Sequence, residues 1–223
     1  MDNIEFNWRG PSRCNTASLR GLIKENSVEK RLKAGEIYLS PGDPIYNVAY
    51  VASGVTSHYM FGENGREKVM YRLGPGWFFS EGIFYADSYP TELATRYAIA
   101  ETETLLYLMN REKFTLLLSN LEFVQALLCS TVEKCTLLRH EIESVTFDTT
   151  AERLKQLLIS CADTETLIDG IWCPVNVSWT HHDIAAIIGI TRVSVSRLIT
   201  DLKNEGFLRM VNGRIQINEK YII

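Results

Sequence analysis

The sequence predicts an α+β chain built from an N-terminal antiparallel β-roll, one long helix and a C-terminal winged helix-turn-helix. Three observations carry this. Short strand-like stretches punctuated by turn residues fill 31–109, a stretch without Gly or Pro follows from Arg111 to Val145, and two capped amphipathic segments and a hairpin begin at Thr180. The boundaries expected from these shifts are 1–110, 111–146 and 147–223.

In the first part, Ile37-Tyr38-Leu39, Val48-Ala49-Tyr50-Val51 and Lys68-Val69-Met70-Tyr71 have the apolar, β-branched and aromatic content of strands. Between them stand Pro41-Gly42-Asp43, Ser53-Gly54, Glu63-Asn64-Gly65 and Gly74-Pro75-Gly76. Asn64-Gly65 is a strong hairpin signal, because a tight two-residue turn needs positive φ. Many short strands at close spacing indicate a small barrel or roll.

The segment after Asn110, which can cap a helix start before Lys113 and Phe114, reads as one helix to Val145. Phe123, Leu127, Leu138, Ile142 and Val145 make an incomplete apolar stripe, with Leu128 and Leu137 beside it. Such a seam is left open to water unless a second helix closes it, so a homodimer is expected. Asp148 or Thr149 can cap the next helix, Ala151 to Ala162, and Asp163 to Pro174 reads as a loop with an Asp169-Gly170 turn.

From Thr180 the pattern is that of a helix-turn-helix. Thr180 caps a helix whose Ile184, Ala185 and Ile188 face inward, Gly189 ends it in the left-handed conformation, and Ile190 fills the corner. Thr191 caps the second helix, which buries Val195, Leu198, Ile199 and Leu202 and exposes Arg192, Val193, Ser196 and Arg197 near its N-terminus. That end enters the major groove in this motif. Phe207 to Val211 can then pair with Gly213 to Ile217 through the Asn212-Gly213 turn, as a wing.

The net charge of −4 is unfavourable for binding nucleic acid, but it is an average over the chain. Between His181 and Arg214, Arg192, Arg197, Lys203, Arg209 and Arg214 face Asp183, Asp201 and Glu205, so that stretch is basic and the remainder acidic. Five scattered cysteines without a CxxC point to free thiols instead of a disulfide framework, zinc site or cluster. The absence of a long apolar run and of a signal-like N-terminus leads us to expect a cytoplasmic protein with no membrane partner; no metal and no cofactor are expected either.

The order of β-roll, long helix, short helix and winged helix-turn-helix, from about Glu29 to Arg214, resembles the CRP/FNR family of bacterial transcription regulators. The best-matching words are Gly74-Pro75-Gly76 with Glu81, and Ile190-Thr-Arg-Val-Ser-Val-Ser-Arg197. The resemblance implies a cyclic-nucleotide-binding-like roll and a homodimer on a two-fold symmetric site in double-stranded DNA. It also implies a small-molecule effector in the roll, RNA polymerase as partner if the protein activates (through the loop Asp163 to Asp169), and no enzyme activity.

The family's cyclic-nucleotide binders hold phosphate with an Arg-Ser pair, whereas Tyr89-Pro90-Thr91-Glu92-Leu93 contains no Arg, and Arg96 is displaced by several residues. Glu81 matches their ribose-contacting carboxylate, while their adenine-facing polar positions correspond to Leu137 and Leu138. These departures point away from cyclic AMP. Effector-lining candidates are therefore Tyr71, Phe78, Glu81, Gly82, Phe84, Tyr85, Thr91, Glu92, Leu137 and Leu138, which suit an aromatic or halogenated organic molecule. The recognition helix and the Phe61–Tyr71 hairpin are most similar to the halophenol-sensing, CprK-like branch. A cyclic-nucleotide-responsive or effector-independent regulator is the alternative.

Missing cysteines argue against an iron–sulfur sensor, and His58 as the single histidine of the roll argues against haem. An enzyme using Glu81 and Glu92 as a carboxylate pair has nothing to fix their separation. For DNA, Arg197 suits guanine or phosphate, Ser196 a base edge and Val193 a thymine methyl, while Thr180, Thr191, Arg192 and Lys203 suit the backbone. Family relatives that read guanine often carry Glu at the Val193 position. Valine cannot accept a hydrogen bond, so an A/T-rich palindrome of the TTGA or TTAA type is expected.

Overall fold

Strand-forming residues and tight turns alternate through the first half of the chain, and they close two four-stranded sheets. The computed structural model describes residues 12, 15–62, 66–85 and 93–222, with only the backbone of Tyr85. Helix α1 (Ala17–Glu25) is capped by Thr16, whose hydroxyl accepts from the Leu19 N–H. Eight strands follow: β1 (Val28–Leu32), β2 (Ile37–Leu39), β3 (Val48–Ser53), β4 (Thr56–Phe61), β5 (Glu67–Leu73), β6 (Phe78–Phe79), β7 (Tyr97–Ala100) and β8 (Thr104–Met109). One sheet has the order β1-β8-β3-β6 and the other β2-β7-β4-β5. The roll is thus as expected, although the Asn64-Gly65 turn lies outside the described residues.

Gly76 explains why its turn is glycine-rich. Its φ is +93°, and a Cβ there would stand 2.5 Å from the Cβ of Asn15. Asn15 in turn accepts a hydrogen bond from the buried Tyr50 hydroxyl at 2.8 Å.

The expected single helix from Arg111 is two. Helix α2 (Arg111–Leu117) is capped by Asn110, and α3 (Leu121–Phe147) starts afresh at Asn120, whose side chain accepts from the Phe123 N–H at 3.0 Å. The two axes differ by 108°. Ser119-Asn120 supplies the second cap and so ends the first helix. The apolar stripe also divides differently. Phe123 is fully buried against Phe78 and Phe114, whereas Leu128, Val132, Ile142 and Val145 are exposed.

Helix α4 (Thr150–Ser160) opens with a capping box between Thr149 and Glu152. Strand β9 (Trp172–Pro174) lies where a loop was expected; Asp169 and Gly170, both at positive φ, turn the chain into it. Helices α5 (His181–Ile188) and α6 (Arg192–Asn204) and strands β10 (Leu208–Val211) and β11 (Arg214–Asn218) complete the chain. The wing is a three-stranded sheet, β10-β11-β9.

The chain forms two compact units. One comprises Asn7–Met60 with Met70–His140; the other comprises Glu141–Ile223 with the hairpin segment Phe61–Val69. No single helix among the described residues is long and apolar enough to cross a membrane.

Candidate DNA-binding face and effector cavity

In the C-terminal unit, sequence determines the geometry of α5 and α6 almost residue by residue. Thr180 and Asp183 form a reciprocal capping box at the start of α5. Ile184, Ala185, Ala186, Ile187 and Ile188 are all buried. Gly189 ends the helix at φ +72°, and the N–H groups of Gly189 and Ile190 both donate to the Ala185 carbonyl, at 2.8 and 3.0 Å. A side chain at Gly189 would be strained at this φ. Thr191 caps α6 by accepting from the Ser194 N–H, and Val195, Ile199 and Leu202 seal its inner face.

Outward on α6 stand Arg192, Val193 and Arg197 in the first two turns, and Thr200, Asp201, Lys203 and Asn204 further along. Val193 keeps 60% of its surface exposed. Ser196 is turned inward instead. Its hydroxyl lies 2.9 Å from His181 Nδ1 and donates to the Arg192 carbonyl at 3.1 Å, so a base contact from it requires that pairing to be given up. Thr180 and Thr191 are exposed but use their hydroxyls as caps. Arg209, part of the basic count above, is occupied by Asp169, Gln216 and the face of Trp172, while Arg214 is exposed at the wing tip.

The turn of the helix pair is tied down by charge. Lys68 and Arg153 each donate to a backbone carbonyl at the end of α5, Ile187 and Ile188 respectively, both at 2.6 Å. Glu141 bridges the two cations at 2.6 and 3.0 Å. Cations belong here, because the last carbonyls of a helix lack intrahelical donors. Burial pushes the Lys68 ammonium below its usual pKa, while Glu141 works in the opposite direction. None of these three residues was foreseen as part of the motif.

The other unit contains a cavity of about 380 Å³. Of the effector candidates, Tyr71, Glu81, Gly82 and Leu138 line it. Phe78 does not. On strand β6 successive side chains take opposite faces, so Phe79 reaches the cavity while Phe78 is buried in the core beside Tyr50 and Phe123. Phe84 packs on Phe114 in the same core. Among the described residues the lining takes Leu138 but not Leu137, since adjacent helix positions point about 100° apart. Thr91, Glu92 and the side chain of Tyr85 lie outside the described residues.

Sequence reasoning missed the polar half of this cavity: His58, Ser80, Arg96, Thr131 and Lys134. Thr131, Lys134, Cys135 and Leu138 fall at helical spacing, so Leu138 alone could have indicated the others. Glu81 is not free. It forms an ion pair with Lys134, which also donates to the Phe78 carbonyl at 2.9 Å. Burial pushes the Lys134 ammonium down despite this pairing. Arg96 lies 5.5 Å from the Tyr71 ring centroid, so the arginine that seemed displaced in sequence does reach the cavity. Ser80, also in the lining, holds the left-handed conformation at φ +61° without being glycine.

Comparison with known proteins agrees with both halves. A family model for the Crp-like helix-turn-helix domain matches residues 152–220, and one for the cyclic nucleotide-binding domain matches residues 29–120. The chain belongs to the CRP/FNR family. It is 27% identical over 177 residues to the cyclic AMP receptor protein of Thermus thermophilus, covering 78% of this chain and 76% of that one. In fold it is similar to the c-di-GMP-responsive global regulator CLP of Xanthomonas campestris, with a TM-score of 0.77 at 17% identity over 91% of this chain and 99% of that one. It is also similar to CprK complexed with OCPA, with a TM-score of 0.69 at 18% identity over 92% and 90%. The protein is therefore a DNA-binding transcription regulator of the CRP/FNR family, with a cyclic nucleotide-binding domain ahead of its helix-turn-helix. This is a family of transcription regulators, not of enzymes.

Proposed function

We propose that this CRP/FNR regulator acts in the cytoplasm as a homodimer on an A/T-rich palindrome, and that a small molecule bound in the roll cavity gates it. The observation that carries the DNA reading is the outer face of α6. Val193 and Arg197 stand exposed one turn apart near its N-terminus, beside Arg192 and opposite the buried Val195, Ile199 and Leu202. Val193 packs on a thymine methyl, Arg197 pairs with guanine or phosphate, and Arg192, Lys203, Thr180 and Thr191 hold the backbone. The exposed Leu128, Val132, Ile142 and Val145 of α3 support the dimer, because a partner helix would remove them from water.

The effector reading rests on the cavity, whose apolar wall of Leu39, Ile45, Phe79, Ile83 and Leu138 suits an organic body. Likeness to CprK supports an aromatic or halogenated molecule. One observation favours cyclic nucleotides instead: Arg96 offers a cation that the sequence pattern lacked. Binding to the loop Asp163–Asp169 by RNA polymerase would follow if the protein activates.

A mobility-shift assay with A/T-rich inverted repeats tests the DNA reading. Arg197→Ala should weaken binding by about 1–3 kcal/mol with the dimer intact. Unchanged affinity and unchanged sequence preference would remove the base-contact role.

A further inference from the structure

The partly buried His181 joins the two helices of the motif. Its Nδ1 lies 2.9 Å from the hydroxyl of Ser196 on α6, and the same hydroxyl lies 3.1 Å from the Arg192 carbonyl. A hydroxyl has one proton to give, and a carbonyl can only accept. Both contacts are therefore hydrogen bonds only when the hydroxyl donates to Arg192 and Nδ1–H donates to the hydroxyl. In a neutral imidazole the other nitrogen is then a bare acceptor. Neutral His181 thus carries its proton on Nδ1 and leaves a lone pair on Nε2.

The place of His181 in the motif gives that lone pair a consequence. It is the first residue of α5, and the first helix of a helix-turn-helix crosses the DNA backbone while the second lies in the groove. The two ring nitrogens point to different sides, so with Nδ1 on Ser196 the Nε2 edge points away from α6. The first N–H groups of a helix lack intrahelical acceptors, which favours an anion at this end. A phosphate oxygen and a bare Nε2 are both acceptors and cannot pair. A proton on Nε2 turns that conflict into a charge-assisted hydrogen bond.

The charges around the ring leave this proton to the DNA. On α5 the Asp183 carboxylate is taken by the Thr180 N–H and hydroxyl, both at 2.8 Å. On β5 Glu67 meets the neighbouring His182 at 3.4 Å. On α6 the groups beside Ser196 are the exposed cations Arg192 and Arg197. Among the described residues no carboxylate is paired with His181, so the anion that can hold a second proton on its ring is a backbone phosphate.

We propose that DNA binding by this protein is coupled to protonation: His181 takes up a proton at Nε2 as that nitrogen meets a backbone phosphate, and Ser196 is the positioning residue that fixes the tautomer requiring it. The proton comes from the buffer, Nε2–H is the one covalent bond formed, and Nδ1–H stays on Ser196. The proton is held more tightly in the complex than in the free chain, so association is strongest at low pH and weakens as pH rises. This deepens the DNA reading of α5 and α6 and rests on it.

An A/T-rich inverted-repeat duplex is titrated calorimetrically with the full chain in buffers of different ionisation enthalpy, which counts the protons taken up. Expected near neutral pH is an uptake of about half to one proton per chain, with association roughly tenfold or more tighter at about pH 6 than at about pH 8. His181→Gln should abolish the uptake, and His182→Gln should keep it. Ser196→Ala frees the neutral ring to carry its proton on Nε2, so uptake should fall by about half or more although the histidine remains. Nitrogen resonances of His181 in the unbound chain should report the Nδ1–H form, which keeps the inference testable if a variant misfolds.

Binding without proton uptake, uptake that survives His181→Gln, uptake indifferent to Ser196→Ala, or an Nε2–H ring in the unbound chain overturns the inference and leaves the DNA reading standing. Failure of the wild type to bind the duplex at either pH overturns both.

Discussion

Burial, assisted by the positive charges of Arg96 and Lys134, holds the His58 imidazole well below its ordinary pKa. The folded protein therefore keeps it neutral at a pH where the unfolded chain takes up a proton. As pH falls below about 6.5, the unfolded state binds the extra proton and folding stability drops, by up to about 1.4 kcal/mol per pH unit for this one group. Urea unfolding followed from pH 7.5 to 5 should show that loss in the wild type and a shallower one in His58→Gln. Equal slopes would mean that His58 is protonated in the fold. Burial also lowers Lys68 and Lys134, but from the ordinary lysine value of 10.5, so they belong to the alkaline side.

At the scale of the element, the Lys68–Glu141–Arg153 cluster should decide how firmly the end of α5 is held. Glu141→Gln leaves two cations facing each other beside the Ile187 and Ile188 carbonyls. Removing one member of a buried ionic group costs about 3–5 kcal/mol, and the partial exposure of Lys68 and Glu141 reduces the expectation to about 2 kcal/mol. Lys68→Met should cost less, since Glu141 keeps Arg153 as a partner. Thermal unfolding of both variants checks the order, and a larger loss from Lys68→Met would contradict it.

Helices α5 and α6 were legible because each is specified locally, by Thr180, Gly189 and Thr191 and by apolar spacing. The break at Ser119-Asn120 and strand β9 were not. A second cap inside a helical pattern looks like an ordinary polar residue, and three strand residues have no period of their own. The cavity was half legible for a related reason. Aromatic residues can be read as apolar lining, but which of Phe78 and Phe79 faces inward depends on pleat, and Arg96 and His58 are brought to the cavity by pairings distant in sequence, β4 with β7 among them.

For the molecule as a whole, reading both halves of a palindrome needs two copies of the chain. Leu128→Glu with Val132→Glu places charge in the exposed seam of α3, so sedimentation should show a monomer with the fold intact. A single copy then reads only half a palindrome, and operator affinity should fall by roughly 100-fold or more as the linked second contact is lost. A double variant that remains dimeric would move the interface elsewhere.

The central claim is that α6 reads sequence with Val193 and Arg197. Selection from a random duplex library, run in parallel for the wild type and Val193→Glu, tests it most directly. The wild type should enrich an A/T-rich inverted repeat, and Val193→Glu should enrich cytosine at the base pair that Val193 faces, because a carboxylate accepts from cytosine N4 where a methyl cannot. Recovery of no inverted repeat, or of the same repeat by both proteins, would contradict the account.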